Sequence, residues 1–276
     1  MVKLLSLPAA GGKLRIDLPI VLNSVRGFWK AAGALKDCER ESAVLRGFAV
    51  EEAAKILILL DIVRCPKKEV SNRIGAMVSW FYDHLARIIY VEATETIHAT
   101  DINYLRDAIQ NLRKNYYLEG DVGEYIFPNW ELYTRERQIY SDIEGYADGF
   151  AGWSAPDAHG FMDLEANSST IRLVEAMSAL GLFSVDALMI VSKLWGRVSF
   201  HDTQDYDEAR RLIWATLEEV DAAGLMPPTA SQDDANLLAR FWQLPMYALD
   251  LSRVSVSLEE LKARQEGMLW SEIGYP

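Results

Sequence analysis

Residues 44–65, VLRGFAVEEAAKILILLDIVRC, set the terms on which this chain can fold. The run is apolar almost throughout, holds no glycine after Gly47, and ends against Pro66. Alanine, leucine, isoleucine and valine without a breaker over that length predict a helix of about six turns. Phe48, Leu59, Ile62 and Val63 share one arc of that helix, and Glu51, Glu52 and Lys55 interrupt the same arc. Arg46, Asp61 and Arg64 fall on the opposite side, where a solvated stripe is expected. Charges on the most apolar face need partners, because an unpaired buried charge is costly. Lys55 can pair with Glu51 at i,i+4 or with Glu52 at i,i+3, which leaves one carboxylate for a group on another helix. Either a structural ion pair that fixes helix register or a polar pocket between helices meets that demand.

The rest of the chain supplies candidates for the other side of such a pocket. Residues 69–93 predict the next helix, and on it Arg73, Trp80, His84, Arg87 and Val91 line one side. Such a stripe is either ordinary surface with snorkelling stems or an electropositive strip with an imidazole able to act as acid or base. Residues 101–117 open on Asp101 as an N-cap, with Leu105, Ile109 and Leu112 at helical spacing. LEGDVGEYIFPN reads as a loop from its Gly and Pro. Order resumes over 130–147, where Arg135, Glu136, Arg137, Tyr140 and Asp142 crowd together. GFAGWSAPDAHG then breaks all regularity, and a domain boundary is expected near 150–166.

Beyond it, capped helical segments follow one another: NSSTIRLVEAMSALG, SVDALMIVSKLWG, YDEARRLIWATLEEVDAAG, SQDDANLLARFWQLPMYAL with a Pro245 kink, and SLEELKARQEG with Ser257 and Glu260 as a capping box. His159 and His201-Asp202 fall in loops there without a partner cluster and read as surface residues. No strand alternation persists anywhere, so the fold class expected is all-α, with 18–156 a helical bundle and 157–276 an acidic helical accessory domain.

Composition narrows the chemistry. The net charge of −12 is uneven: residues 1–150 carry 19 basic and 21 acidic side chains, the remainder 9 and 19. A phosphate-binding surface wants clustered cations, which disfavours the C-terminal half and leaves room for a local basic patch in the N-terminal half. No apolar run is long enough to span a membrane, and the start MVKLLSLPAAGGK is too short for a secretory apolar region. Cys38 and Cys65 read as free thiols of a reducing cytosol. No CxxC, HExxH, P-loop or GxGxxG occurs, so neither a metal nor a nucleotide cofactor is expected.

Three segments together resemble the AbiV-type abortive-infection proteins, a bacterial anti-phage family. They are NSVRGFWKAAGALKDCERESAVLRGFAVEEAAK with its EExxK (Glu51, Glu52, Lys55), FYDHLARI with His84 three residues ahead of Arg87, and the run of Arg135, Glu136, Tyr140, Asp142, Trp153 and Pro156. The resemblance covers residues 20–156, and the order and approximate spacing of all three segments make it more specific than any one. It implies membership of the HEPN superfamily: compact helical bundles that commonly dimerise, many of them metal-independent ribonucleases with an Arg-x(4–6)-His motif. In that chemistry arginine steadies the phosphate and histidine moves the proton. This chain departs from the motif, its nearest forms being Arg135-x4-Tyr140 and Arg197-x3-His201. The resemblance implies a cytoplasmic, homodimeric phage-defence protein, built around a site of His84, Arg135, Tyr140 and Glu52 as acid/base and orienting groups. Lys55, Arg87 and Arg73 would hold substrate phosphate, the substrate being RNA or a ribosome-associated target and the trigger a phage protein. The alternative is a non-catalytic helical protein that sequesters a phage or host protein.

Overall fold

The computed structural model describes residues 17–96, 101–121, 123–145, 150–156, 168–200, 206–242 and 244–272. His159, His201 and Asp202 lie outside them, as does most of the expected boundary. The described residues are mostly helical, with eleven α-helices and two small two-stranded sheets.

The long apolar run forms α2, Glu39–Arg64, with α1, Leu18–Ala34, packed along it. Leu18 opens α1 and Pro19 follows it, a ring that suits the first turn. Cys65 ends α2 in an extended conformation, φ −64° and ψ 131°, as a residue before proline prefers. Of the three charges expected on a solvated stripe of α2, Arg46 is partly exposed, but Asp61 and Arg64 are buried. Asp61 is 0% exposed and Arg64 2%. Arg64 Nε donates to Asp61 Oδ1 at 2.8 Å, while Asp61 Oδ2 accepts from the Tyr90 hydroxyl at 2.6 Å and the Met246 amide at 2.8 Å. The guanidinium carbon lies 4.7 Å from the Trp195 ring centroid and 4.5 Å from that of Trp242. The reason is coverage: elements from the C-terminal half close over this side of α2, so its charges are neutralised internally instead of by water.

The expected single helix over 69–93 is two, α3 at Lys67–Tyr82 and α4 at His84–Glu95. Asp83 between them takes φ −89° and ψ 126°, and its Oδ1 accepts from the Ala86 amide at 2.9 Å, an N-cap. The break divides the expected stripe. Trp80 enters the core at 1% exposure, whereas the His84 side chain stays half exposed.

Helix α5, Ile102–Gln110, begins at its predicted cap, Asp101 accepting from the Tyr104 amide at 2.9 Å. It stops short of the expected 117, because Tyr116–Glu119 forms β1, antiparallel to β2 at Tyr125–Pro128. The segment expected to be a loop is therefore a hairpin, turned through Gly120 and Gly123, both at positive φ. Helix α6, Trp130–Ile139, follows, and then the ribbon of β3, Asp142–Gly145, and β4, Ala151–Ser154, pairing Ile143 with Trp153. These ribbons correct the expectation that no strand persists.

The later helices are α7 Ser168–Ala179, α8 Val185–Trp195, α9 Tyr206–Ala222, α10 Gln232–Phe241 and α11 Leu258–Glu272, with a 3-10 turn at Met246–Ala248 after Pro245. Ser231 and Asp234 form a reciprocal capping box at α10, and Ser257 Oγ accepts from the Glu260 amide at 3.1 Å. One apolar core runs from Leu18 to Leu251 and draws on α1, α2 and α4 as well as α7 to α10. Helices α7 and α8 pack directly on α2, and Arg26 Nε of α1 reaches Glu175 of α7 at 2.7 Å. The spans 18–156 and 157–276 thus share that core.

Candidate functional site

Glu51 sits near the middle of α2 with its side chain 8% exposed, and three cationic or titratable groups from two other helices converge on it. Its Oε1 accepts from Arg135 Nε of α6 at 2.7 Å. Its Oε2 lies 2.6 Å from His84 Nδ1 and 3.0 Å from Arg87 Nη2, both of α4. Both guanidinium groups also crowd the imidazole, Arg87 Nη2 at 2.7 Å and Arg135 Nη2 at 2.9 Å from the same Nδ1.

Each position follows from local structure. The Asp83 cap starts α4 at His84, and Arg87 is one turn later on the same side, its Nε donating to the Asp83 carbonyl at 3.3 Å. Helix α6 is anchored at its start by Asn129, whose side-chain amide donates to the Leu112 and Lys114 carbonyls at 2.7 Å each. Its Oδ1 accepts from the Leu132 amide at 3.0 Å, and Arg135 follows about a turn later. The Phe48 ring, 5.9 Å from the Arg135 guanidinium carbon, backs that side chain from α2.

The electrostatics are those of a clamped carboxylate. Burial pulls the Arg87 guanidinium below its ordinary value, and the attraction of Glu51 and then Glu52 offsets part of that effect. At Nδ1 the carboxylate can only accept and the two guanidinium groups can only donate, so that nitrogen bonds Glu51 when it carries the ring proton and the arginines when it does not. In the neutral tautomer that donates to Glu51, Nε2 is the bare nitrogen, and the His84 side chain is 51% exposed. A buried acid against a half-exposed imidazole is an arrangement suited to proton transfer.

The residues expected at the site divide into two groups. His84, Arg87 and Arg135 are brought together. Lys55 pairs with Glu52 on its own helix and stacks over Phe81, with Nζ 5.4 Å from the ring centroid. The carboxylate left for other helices is therefore Glu51, and the orienting place expected for Glu52 is occupied by its neighbour. The sequence held that signal in the surplus carboxylate of EExxK, but helical angle alone does not say which of two adjacent acids turns inward.

Arg73 and Tyr140 are not brought to the cluster. Arg73 is nine residues before the end of α3, about 13 Å along the axis, and its charge bears on the Cys65 thiol, which burial pushes up to about 12. Tyr140 follows α6 with 59% exposure and lines a small cavity of about 70 Å³ with Tyr133, Glu136, Arg137, Asp142 and Ser154. Five residues advance a helix by roughly 140° beyond a full turn, so Arg135 and Tyr140 leave α6 in different directions. Cys38 and Cys65 are free thiols. No helix among the described residues is long and apolar enough to cross a membrane, and no group of His, Cys, Asp and Glu among them is arranged to hold a metal ion.

No family model, curated protein or solved structure matches the chain.

Proposed function

We propose that this chain is a bacterial abortive-infection protein of HEPN-like architecture that halts an infected host by cleaving RNA, free or ribosome-associated. The observation that carries the reading is the convergence of a half-exposed His84, oriented through Nδ1 by buried Glu51, with Arg135 beside it. In the chemistry this suits, His84 with its ring proton on Nδ1 takes the proton of a ribose 2′-hydroxyl at Nε2, and the 2′-oxygen attacks the adjacent phosphorus. The bond to the 5′-oxygen breaks, and the imidazolium returns the proton to that leaving oxygen. Arg135, at the rim of the cluster, steadies charge on the non-bridging oxygens. Arg87, at 6% side-chain exposure, holds Glu51 in place instead of meeting substrate. The resemblance to AbiV-type proteins supplies the biological setting and the homodimer, which sedimentation checks.

One observation favours a second reading, capture of a phage or host protein without chemistry. Both arginines are already engaged by Glu51, and Ile143 and Trp153 of the β3–β4 ribbon stand exposed, as does Phe150 just before β4. Phage plating on cells expressing the protein separates the two. The catalytic reading expects His84→Ala and Arg135→Ala to lose protection while remaining folded at wild-type levels. Full protection by both variants transfers the function to the exposed surface.

A further inference from the structure

The inward side of α6 is polar. Glu131, Thr134 and Gln138 are buried at i, i+3 and i+7, with Leu132 the apolar residue of the helix that packs against the core. A helix seated through polar groups gains little from apolar burial, so its attachment depends on how those groups are satisfied. Thr134 is satisfied by its own helix, Oγ1 donating to the Trp130 carbonyl at 2.7 Å. Glu131 is not: its Oε2 is buried without a hydrogen-bond partner.

The surroundings of Glu131 make its charge unwelcome. Helix α6 packs against α2 and α4. From α4 the group that acts on Glu131 is another carboxylate, Glu92, and behind it Glu95, whose Oε1 accepts from Ser169 at 2.6 Å and Thr170 at 3.1 Å of α7. From β1 it faces the Tyr117 phenol, itself pushed up by burial and then by Glu119 and Glu131. Glu51 of α2 is clamped by the two arginines, and on α6 itself Arg135 is committed to Glu51. Burial first and Glu92 second push the Glu131 carboxyl up to about 8, while burial and then Glu95 raise Glu92, and burial raises Glu95.

We infer that α6 is a proton-dependent latch: neutral Glu131 seats the helix on α4 and thereby Arg135 on Glu51, and ionisation of Glu131 lets the helix lift and opens the cluster. The inference stands whether the site cuts RNA or only binds. Its sign follows from linkage. Seated, Glu131 keeps its proton; lifted into water, it loses it near the ordinary glutamate value. The seated form binds the extra proton, so acidification favours it, and the balance moves toward the lifted form by about tenfold per pH unit until about pH 8, where the dependence ends.

Amide hydrogen exchange on the full chain tests this, with each rate divided by its intrinsic pH-dependent value. In the wild type the protection of α6 amides falls about tenfold per pH unit from about pH 5.5 to 7.5, as one proton per opening requires, while that of central α2 amides does not follow. In Glu131→Gln, which keeps the shape of the neutral acid, α6 protection is flat with pH. In Glu92→Gln the repulsion is gone, so α6 is better protected than wild type at pH 7.5. A flat wild-type profile, the same slope in wild type and Glu131→Gln, or a Glu92→Gln protection no higher than wild type at pH 7.5 each overturns the latch.

Discussion

Glu51 uses both carboxylate oxygens, one for Arg135 and the other for His84 and Arg87. A carboxylate this far from water is tolerable because two guanidinium groups repay its lost hydration, and they in turn depend on it. Removing it leaves Arg87 buried without its carboxylate partner. Glu51→Ala is therefore expected to destabilise the chain by about 3–5 kcal/mol in urea unfolding. Glu52→Ala, which frees a partly exposed lysine, is expected to cost no more than about 1 kcal/mol. Equal losses for the two would mean that the carboxylate at 51 has no special place. The adjacent acids are indistinguishable as a pattern. The pattern does show that one of them exceeds what Lys55 can satisfy, and that surplus is the legible part of the site.

At the scale of elements, the junction at Asp83 does most to shape the cluster. As N-cap of α4 it both stops α3 and orients the turn that carries His84 and Arg87. Asp83→Ala should cost about 1 kcal/mol by the ordinary worth of a cap, with a loss of His84 ordering readable as a shifted imidazole signal by NMR. An unchanged stability and signal would show that packing alone sets the turn. Helical periodicity continues across 69–93, so pattern alone joins α3 to α4, although Asp83 followed by helix formers is a cap signal within that run. The β1–β2 hairpin is likewise present in the letters: Tyr116 and Tyr117 before, Tyr125, Ile126 and Phe127 after, with glycines between. Glycine and proline content alone suggests a loop. Asp61 and Arg64 are a different case. They do lie on the side of α2 that helical phase assigns them, but phase cannot tell whether solvent or α8 and α10 will cover that side.

For the whole molecule, the consequence of that coverage is a single core shared by the two halves of the chain. The Asp61–Arg64 pair, linked to Tyr90, Met246, Trp195 and Trp242, lies within it. A nick within residues 145–168, the Gly- and Pro-rich stretch, is expected to leave fragments of about 17 and 14 kDa, which together make up the 31.1 kDa chain, that co-elute under native conditions and separate in denaturant. Fragments that part without denaturant would mean that the packing of α7 and α8 on α2 is weak. The same core predicts one cooperative thermal transition by calorimetry, with matching calorimetric and van't Hoff enthalpies. The helical class and the central place of α2 are legible because a long breaker-free apolar run has few alternatives. The joining of the halves depends on contacts across more than a hundred residues, which no local pattern records.

We propose that Glu51, His84 and Arg135 form a site that moves protons on RNA. Incubating purified protein with total RNA in EDTA tests it most directly. Cleavage to fragments ending in 2′,3′-cyclic phosphate is expected from the wild type, and its loss from His84→Ala and Arg135→Ala preparations that remain folded. RNA left intact by the wild type, or cut equally by His84→Ala, would contradict it.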